Sequence, residues 1–470
     1  MKKTTAFNRR EFLRLSGAAG LFTAAGCAGF PAITSTRSPN GLLRHACIGC
    51  GNMAWGDINS FCTHPKIEMA AFCDVDAKYL EQARKKFPQA RFYADWRELL
   101  AKEGDAIDSL NVTIPDHNHT IVTAAALRAD KHVYLQKPLC KTMAEAKFLR
   151  RLAAESGKVT QMGAQYIATR ADRQVVKLLR DGTLGPVEHV YFFSTRKGLS
   201  RRRRYLPAAV PPPKTLNWDL WLGTAMPRPY APEVYHPLIW RIWRDLGSGW
   251  IGDIGCHLMS AVWMGLDLGD LSPLDVIAVT ETNAEDNVKD LVWPTATHIC
   301  WNMPPVKATD GKSIRFDWYD GCSEPDELAP AQFRPPAEID ALFAKTPYKR
   351  REHEGKAIKC RDGWILELHN NTRAYVVKAD GSVSEGPEVG PAPTHFHEFV
   401  NCCLEGRKAC ADFSWSTHMM ELILTGEIAE RLPGRLLKWN GKAGRFDNAP
   451  DANNFLSCAY RAGWQTPGLG

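Results

Sequence analysis

Short apolar runs alternate with amphipathic stretches along the first third of the chain. The apolar runs predict strands and the 3.6-residue patterns between them predict helices; the strands are expected at 44–48, 67–73, 109–114, 132–135 and 159–163, and the helices at 77–86, 119–129 and 142–156. Strand and helix in alternation predict an α/β fold with a doubly wound parallel sheet. Because ligands bind beyond the carboxyl ends of such strands, five residues that directly follow them are expected to share one edge: Gly49, Asp74, Pro115, Lys137 and Gln165.

The pattern changes after Gln165. A helix at 171–180 leads to an alternating strand at 187–195, and further strands are predicted at 276–282, 298–302 and 314–318. The Pro-rich, charged stretch 320–365 is interpreted as loop, and a helix at 416–431 ends before Pro433. We therefore divide the chain into residues 1–40, a nucleotide-binding domain at 41–165 and a substrate-binding domain at 166–470.

Composition indicates a globular protein and does not predict a basic surface for an acidic partner such as a nucleic acid. Hydrophobic residues make up 44% and charged residues 24% of the 470 residues, which excludes disorder and a multi-pass membrane protein. Much of the net charge of +7 lies in residues 1–26, so nucleic-acid binding is not expected. The basic run 201–204 is interpreted as a solvated loop, or as a clamp for an acidic sugar. The lone Cys47-x-x-Cys50 predicts packing rather than a metal site, and no metal is expected.

The N-terminal segment resembles an export signal. Arg9-Arg10, Phe12-Leu13 and the mildly apolar run 15–25 resemble a twin-arginine export signal. Ala25-Gly26-Cys27 resembles a lipoprotein box, so either a lipid anchor at Cys27 or cleavage nearby by signal peptidase is expected. This route carries folded proteins, so we expect a periplasmic or otherwise exported protein that interacts with the twin-arginine machinery and carries its nucleotide tightly bound.

A dinucleotide motif follows the first strand. Gly49-Cys50-Gly51-Asn52-Met53-Ala54 reads G-x-G-x-x-A, in which Gly49 permits the tight turn and Gly51 lets a pyrophosphate approach the backbone. Asp74 ends the second strand, where a carboxylate is expected to accept hydrogen bonds from the ribose hydroxyls and to repel a 2′-phosphate. NAD is therefore favoured over NADP. The alternative is that Asp74 caps the next helix, a role that Asp76 can fill.

Four motifs together resemble the Gfo/Idh/MocA family (glucose–fructose oxidoreductase, inositol dehydrogenase and rhizopine catabolism): the segments 49–54, 73–76, 115–119 and 136–139. The segment 252–257 resembles the family's D-x-x-x-H pattern. Further segments resemble its exported bacterial branch, namely 218–223, 235–243, 395–403, 428–432 and 452–453. The resemblance covers about residues 44–465. It implies a Rossmann-type domain, a second α+β domain with an open, mainly antiparallel sheet, and a homo-oligomer. Gln136 stands where the family usually has Glu, and Ser260 where it often has an acid.

The resemblance implies hydride transfer between NAD and a sugar or polyol carbon. Lys137, before a proline whose peptide bond the family keeps cis, would stabilise the alkoxide, and His257 would act as base. Asp253 lies four residues before His257, which on a helix would place both on one face. Cofactor contacts are expected from Gly49, Gly51, Asn52, Met53, Asp74, Pro115, His119, Gln136 and Gln165. Substrate contacts are expected from Tyr166, His236, Arg241 and Trp243, although the Trp-rich stretch 218–250 could equally be interdomain packing.

Two other functions stay open at this point. In the first, transient oxidation of a ring carbon assists cleavage of a glycosidic bond, and tightly bound NAD is recycled internally. In the second, the chain is an inactive carbohydrate-binding protein, against which the presence of both Lys137 and His257 argues.

Overall fold

The computed structural model describes residues 41–194, 204–321, 330–349 and 354–469. They belong to one compact unit. Arg9, Arg10, Cys27 and the whole predicted segment 1–40 lie outside the described residues, as do Arg201–Arg203. Within the described ranges, no helix combines the length and the apolar character needed to cross a membrane. The domain boundaries stay predictions.

The N-terminal sheet is parallel, as the alternating pattern predicted, but it has six strands where five were expected. They are β1 (Leu43–Ile48), β2 (Ile67–Cys73), β3 (Arg91–Tyr93), β4 (Ser109–Val112), β5 (His132–Leu135) and β6 (Thr160–Met162), in the order β3-β2-β1-β4-β5-β6. Ile48 at the end of β1 pairs with Cys73 of β2 and with Val112 of β4. Three strands therefore end level at the point where the strand order reverses, which is where such sheets bind ligands.

Helices cover both faces of this sheet. They are α1 (Asn52–Phe61), α2 (Ala77–Lys86), α3 (Trp96–Glu103), α4 (His119–Arg128) and α5 (Met143–Ser156), and α6 (Arg170–Asp181) leads to the next domain. The Asp76 side chain caps α2 by accepting from the Lys78 amide, so Asp74 is not needed for that purpose. A reciprocal capping box between Thr142 and Glu145 begins α5. The buried Cys47 and Cys50 pack below the first turn.

The C-terminal part is built on a ten-stranded, mainly antiparallel sheet, also as expected. Its strands are β7 (Val187–Ser194), β8 (Asp275–Glu281), β9 (Ala296–Met303), β10 (Ile314–Asp320), β11 (Glu354–Cys360), β12 (Gly363–Leu368), β13 (Tyr375–Lys378), β14 (Val383–Glu385), β15 (Leu437–Asn440) and β16 (Arg445–Phe446). The order is β14-β13-β12-β11-β7-β10-β9-β8-β15-β16, and only β7 and β10 pair in parallel. The helices are α7 (Trp218–Leu222), α8 (Cys256–Gly265), α9 (Ala337–Lys345), α10 (His395–Glu405) and α11 (Phe413–Arg431).

The interpretation of 320–365 as loop is wrong. This stretch contains α9, the central strand β11 and the start of β12. The strand β11 was missed because it carries charged residues such as Lys356, which a sequence pattern places at the surface. In the structure Lys356 is buried in ion pairs with Asp172 and Glu367, at 2.6 and 2.8 Å. A charge is tolerated inside the protein when it is paired and hydrogen-bonded, so the polar sequence did not exclude a buried strand.

Residues 204–250, which we call the insertion segment, cover one side of the nucleotide domain. Its backbone joins the end of β2, since Ala77 N donates to Thr215 O and Asn217 N donates to Val75 O, both at 2.9 Å. Its apolar residues form a cluster of their own that includes Trp221, Tyr235 and Trp243. Arg204 is only 2% exposed, which contradicts a solvated loop at this residue.

Candidate functional site

A cleft of about 440 Å³ lies where the parallel sheet, the insertion segment and the ten-stranded sheet meet. Most of the residues expected to bind cofactor or substrate line it: Gly49, Gly51, Asn52, Met53, Asp74, Pro115, Gln136, Lys137, Gln165, Tyr166, His236, Arg241, Asp253 and His257. The structure brings these side chains together from segments far apart in sequence; their roles stay predictions.

The glycine turn leaves the start of α1 open. Gly49 has φ +97°, and a Cβ there would lie 2.1 Å from the carbonyl oxygen of Thr113, so only glycine fits. Gly51 precedes α1 without any side-chain cap, and the first turn of that helix carries no acidic residue. No side chain of this turn therefore competes with an anion for its amide groups, which fits the pyrophosphate of a dinucleotide.

Asp74 is held in place by the backbone. Its carboxylate accepts from the amides of Cys50 and Asp76, at 2.7 and 2.9 Å. Burial raises the pKa of Asp74 to about 6, so the group is mostly ionised at neutral pH. A fixed carboxylate with remaining lone pairs beside the glycine turn fits the adenosine ribose of NAD.

Lys137 and Arg241 share one carboxylate in the cleft. Lys137 Nζ lies 2.6 Å from Asp253 Oδ1 and 2.8 Å from its carbonyl oxygen, and Arg241 Nε lies 2.9 Å from the same Oδ1. Burial by itself raises the pKa of Asp253, but the guanidinium and the ammonium outweigh it and hold that pKa well below its usual range. The Lys137–Pro138 peptide bond is cis. The Lys137 ammonium is thus aimed by Asp253 at one place in the cleft.

The expected pairing of Asp253 with His257 is wrong. Residues Ile251–Gly255 form a π-helical turn before α8 begins. The Asp253 carboxylate at this turn is already bound by two cations, Lys137 and Arg241, which reach it from other segments. Asp253 points to Lys137 and Arg241 instead, and it does not hydrogen-bond the imidazole.

His257 is an uncharged, buried imidazole at the same place. Its exposure is 4%, and burial together with the charge of Lys137 keeps its pKa well below the ordinary value. Its Nδ1 has no hydrogen-bond partner in the described part of the chain. The rings of Tyr166 and His369 lie against it, with ring centres 4.8 and 5.4 Å away. A neutral nitrogen without a partner is able to accept a proton from a ligand in the cleft.

Gln136 holds the other end of the Lys137 turn. Its amide nitrogen lies 3.1 and 3.0 Å from the two carboxylate oxygens of Asp57, and its amide oxygen accepts from the Lys137 backbone amide at 3.1 Å. Burial raises the pKa of Asp57 to about 7. Gln136, which stands where the family usually has Glu, therefore donates a hydrogen bond to a buried carboxyl group on α1.

Two residues assigned to the site lie outside the cleft. The ring nitrogens of His119 lie 2.7 and 2.8 Å from the carbonyl oxygens of Pro138 and Ile114, so this side chain joins the loops after β4 and β5 instead of contacting a cofactor. Trp243 is buried in the insertion segment's apolar cluster, and its indole donates to Val234 O at 2.6 Å. For Trp243 the packing alternative holds, because an indole this buried can satisfy its N–H only locally.

Sequence reasoning missed several residues that line the cleft, among them Asp116, His369 and Asn370. Asp116 is 5% exposed, accepts from the Ser248 amide at 3.1 Å, and has its pKa raised to about 7 by burial. It lies inside the motif 115–119, which was a usable signal. His369 and Asn370, the latter at φ +63°, follow β12. No local motif marked them, and the sequence analysis predicted no element for their segment.

Comparison with known proteins matches both parts of the chain. A model described as "Oxidoreductase family, NAD-binding Rossmann fold" (Gfo/Idh/MocA) matches residues 43–164, and its companion, the "C-terminal alpha/beta domain", matches 173–300. The levoglucosan dehydrogenase of Pseudarthrobacter phenanthrenivorans is 24% identical over 187 residues, which are 40% of this chain and 39% of that protein. The alpha-N-acetylgalactosaminidase of Shewanella oneidensis is 27% identical over 206 residues, 39% of this chain and 44% of that protein. The chain thus matches less than half of the length of either relative.

Solved structures share the fold over nearly the whole chain. The aldose-aldose oxidoreductase of Caulobacter crescentus, solved with glycerol, superposes with a TM-score of 0.59 at 17% identity, covering 85% of this chain and 100% of that one. At this identity the likeness concerns the arrangement of both domains and not the substrate.

Proposed function

The chain belongs to the Gfo/Idh/MocA oxidoreductase family, and on that premise we propose that it is an NAD-dependent enzyme that oxidises a secondary alcohol of a sugar, polyol or glycoside. One observation carries the proposal. In one cleft, the Lys137 ammonium is fixed 2.6 Å from Asp253, beside an uncharged His257 whose Nδ1 has no partner in the described residues.

The residues present fit NAD. The open first turn of α1 would hold the pyrophosphate, and Asp74 would hold the adenosine ribose and disfavour the 2′-phosphate of NADP. When bound, NAD supplies the hydride acceptor for the alcohol carbon. Gln165 and Tyr166 line the cleft beyond the end of β6, on the side of the second domain where substrate would lie.

Oxidation of an alcohol removes a hydride from carbon and a proton from oxygen. The Lys137 ammonium would hydrogen-bond the hydroxyl oxygen and stabilise its negative charge as the O–H bond breaks. His257 Nδ1 would take that proton, because its depressed pKa keeps it unprotonated at neutral pH. Arg241 and Asp253 would keep the ammonium in position throughout. In the reverse direction the same groups return the proton.

A second candidate is glycoside cleavage assisted by oxidation. It is favoured by the similarity to an alpha-N-acetylgalactosaminidase and to "glycosyl hydrolase family 109" proteins of Shewanella. Oxidation of one ring carbon to a ketone acidifies the C–H of the neighbouring carbon. Loss of that proton expels the glycosidic oxygen from the next carbon, and addition of water and return of the hydride complete the cycle. The same Lys137 and His257 would serve it, with no net consumption of NAD. An inactive binding protein is disfavoured because both residues reach the cleft.

Product analysis separates these functions. The protein is incubated with NAD and a panel of sugars, polyols and aryl glycosides, and both NADH and released sugar or phenol are measured. NADH formation supports the dehydrogenase, and phenol release without net NADH supports glycoside cleavage. Binding without either product would contradict the proposal. The Lys137→Ala variant is the control for the chemistry.

We also propose that the protein is exported by the twin-arginine route and works outside the cytoplasm, in a homo-oligomer that carries NAD with it. The support is the sequence Arg9-Arg10 with the apolar run after it. Replacing both arginines by lysine should leave the protein in the cytoplasm, as measured by fractionation. Normal appearance of the variant in the periplasm would contradict this proposal, and mass spectrometry of the mature N-terminus would show whether Cys27 carries lipid.

A further inference from the structure

A second cavity, of about 580 Å³, lies beside the short turn Asp116–Asn118. His117 lines this cavity, while Asp116 and Asn118 on either side line the cleft. Its other walls are the loop after β5, the insertion segment, the end of α11 and residues 455–460. Lys137, Asp253 and His257 do not line it, so the proposed reaction leaves this cavity without a purpose.

The wall of the cavity carries a guanidinium group that lies beside two aromatic rings. Arg431, the last residue of α11, lies with its guanidinium 4.7 Å from the ring centre of Trp293 and 5.1 Å from that of Phe455. No hydrogen bond joins it to any residue that the structure describes. A guanidinium carries five N–H donors in a planar fork that matches carboxylate, sulfate and phosphate groups. The two aromatic rings hold this fork in place without using its donors.

Two further cations line the same cavity. Arg244 donates to Asp290 O at 3.1 Å, but its buried Nε has no partner in the described chain. Within the described ranges, the Lys141 ammonium donates only to the backbone oxygen of Asp245. Burial lowers the pKa of all three cations, and repulsion from Arg244 adds to the effect at Arg431, whose pKa falls to about 10. A bound anion would relieve both effects.

Of the acidic groups around the cavity, Asp290 is exposed and attracts Arg244, whereas Asp245 and Glu145 are engaged with other residues. Asp245 pairs with Arg228, and Glu145 accepts from the Lys141 amide and from the Tyr460 hydroxyl. Glu427 is 3% exposed, and burial raises its pKa well above the ordinary value. Its Oε1 has no partner among the described residues.

The mouth of the cavity is apolar. Leu206, Met226 and Leu291 line it and are 40%, 49% and 54% exposed. Tyr235 and Trp243 add aromatic walls further in. Exposed apolar side chains at the rim of a pocket are typical of a binding site for a partly apolar ligand.

We propose that this cavity is a second ligand site, which binds an organic anion. Its carboxylate, sulfate or phosphate group would be held by Arg431, Arg244 and Lys141, and an apolar or aromatic body would lie against Leu206, Met226 and Leu291. The site is separate from the cleft, but the two share the turn Asp116–Asn118 as a wall. The proposal is independent of which reaction the cleft performs.

The test uses phenyl phosphate as probe and calorimetric titration as readout, with the protein saturated with NAD so that its pyrophosphate site is filled. Phenyl phosphate should bind, and benzyl alcohol, which lacks the charge, should bind at least about tenfold more weakly. Arg431→Gln should weaken phenyl phosphate binding about tenfold or more. The matched control is Arg435→Gln, which removes an exposed arginine paired with Asp451 outside the cavity and should change nothing.

Three results would overturn the proposal. They are no binding of phenyl phosphate, equal affinity in the wild type and Arg431→Gln, or equal affinity for the charged and uncharged probes. If Arg431→Gln does not fold, Arg431→Lys and Arg244→Gln take its place, since each keeps most of the cavity and removes part of the donor set. If a variant loses NAD binding, that defect concerns the cleft alone. Repeating the phenyl phosphate titration without NAD separates binding in the cleft from binding in the second cavity.

Discussion

Replacing Gln136 by Glu, the residue that the family usually carries, should make the stability of this protein depend on pH above neutrality. The reason is Asp57, whose two carboxylate oxygens lie 3.1 and 3.0 Å from the Gln136 amide nitrogen. Burial raises the pKa of Asp57 from 3.8 to about 7. Between these two pH values the folded wild type holds a proton that the unfolded chain has lost. The contribution of Asp57 to the free energy of unfolding therefore falls as the pH rises to about 7, and it stays constant above that pH.

In Gln136→Glu, two carboxylates would face each other at about 3 Å, with a repulsion of about 5.5 kcal/mol at an effective dielectric constant of about 20. That repulsion equals about four pKa units, so the folded pair would keep one proton to well above pH ~9. The unfolded chain keeps none. The free energy of unfolding should thus continue to fall by about 1.4 kcal/mol per pH unit, or about 3 kcal/mol between pH ~7 and pH ~9.

Urea unfolding of the wild type and the variant at these two pH values measures the effect, because other titrating groups cancel in the difference. The double variant Asp57→Asn/Gln136→Glu exchanges the carboxylate and the amide, and it should regain the wild-type pH dependence. If Gln136→Glu and the wild type lose the same free energy over this interval, the reasoning about the buried pair is wrong. A double variant that stays as pH-sensitive as Gln136→Glu would contradict it as well.

Three further predictions concern the cleft. Lys137→Ala should keep its affinity for NAD but lose about a hundredfold or more in kcat, and an unchanged kcat would refute its role. NAD affinity in a fluorescence titration should fall as the pH drops below about 6, the raised pKa of Asp74, while Asp74→Asn should bind weakly at every pH; a parallel response of both proteins speaks against the ribose contact. The imidazole of His257 should show no NMR titration near its ordinary pKa of 6.5, and a midpoint there would mean that it is not buried beside Lys137.

The sequence alone determined the nucleotide domain and the edge at which it binds. Strand and helix periods are local properties, so β1, β2, β4 and β5 were predictable from short windows. The turn at Gly49 and the carboxylate at Asp74 were predictable for the same reason, because each follows its own strand directly. The second domain's mainly antiparallel sheet was known only through the resemblance, and its strand β11 was missed because Lys356 looked exposed until its two buried carboxylate partners were known.

Only the tertiary structure decided which groups pair inside the cleft. Asp253 lies four residues from His257 but bonds to Lys137, 116 residues away, and to Arg241, because the fold brings both cations to its carboxylate. Asp57 of α1 likewise hydrogen-bonds Gln136, which follows β5, and the Trp243 side chain packs in the apolar cluster of the insertion segment. Such choices depend on distances between segments far apart along the chain, where a change of one residue in a turn redirects a side chain, and no local pattern of polar and apolar residues records them.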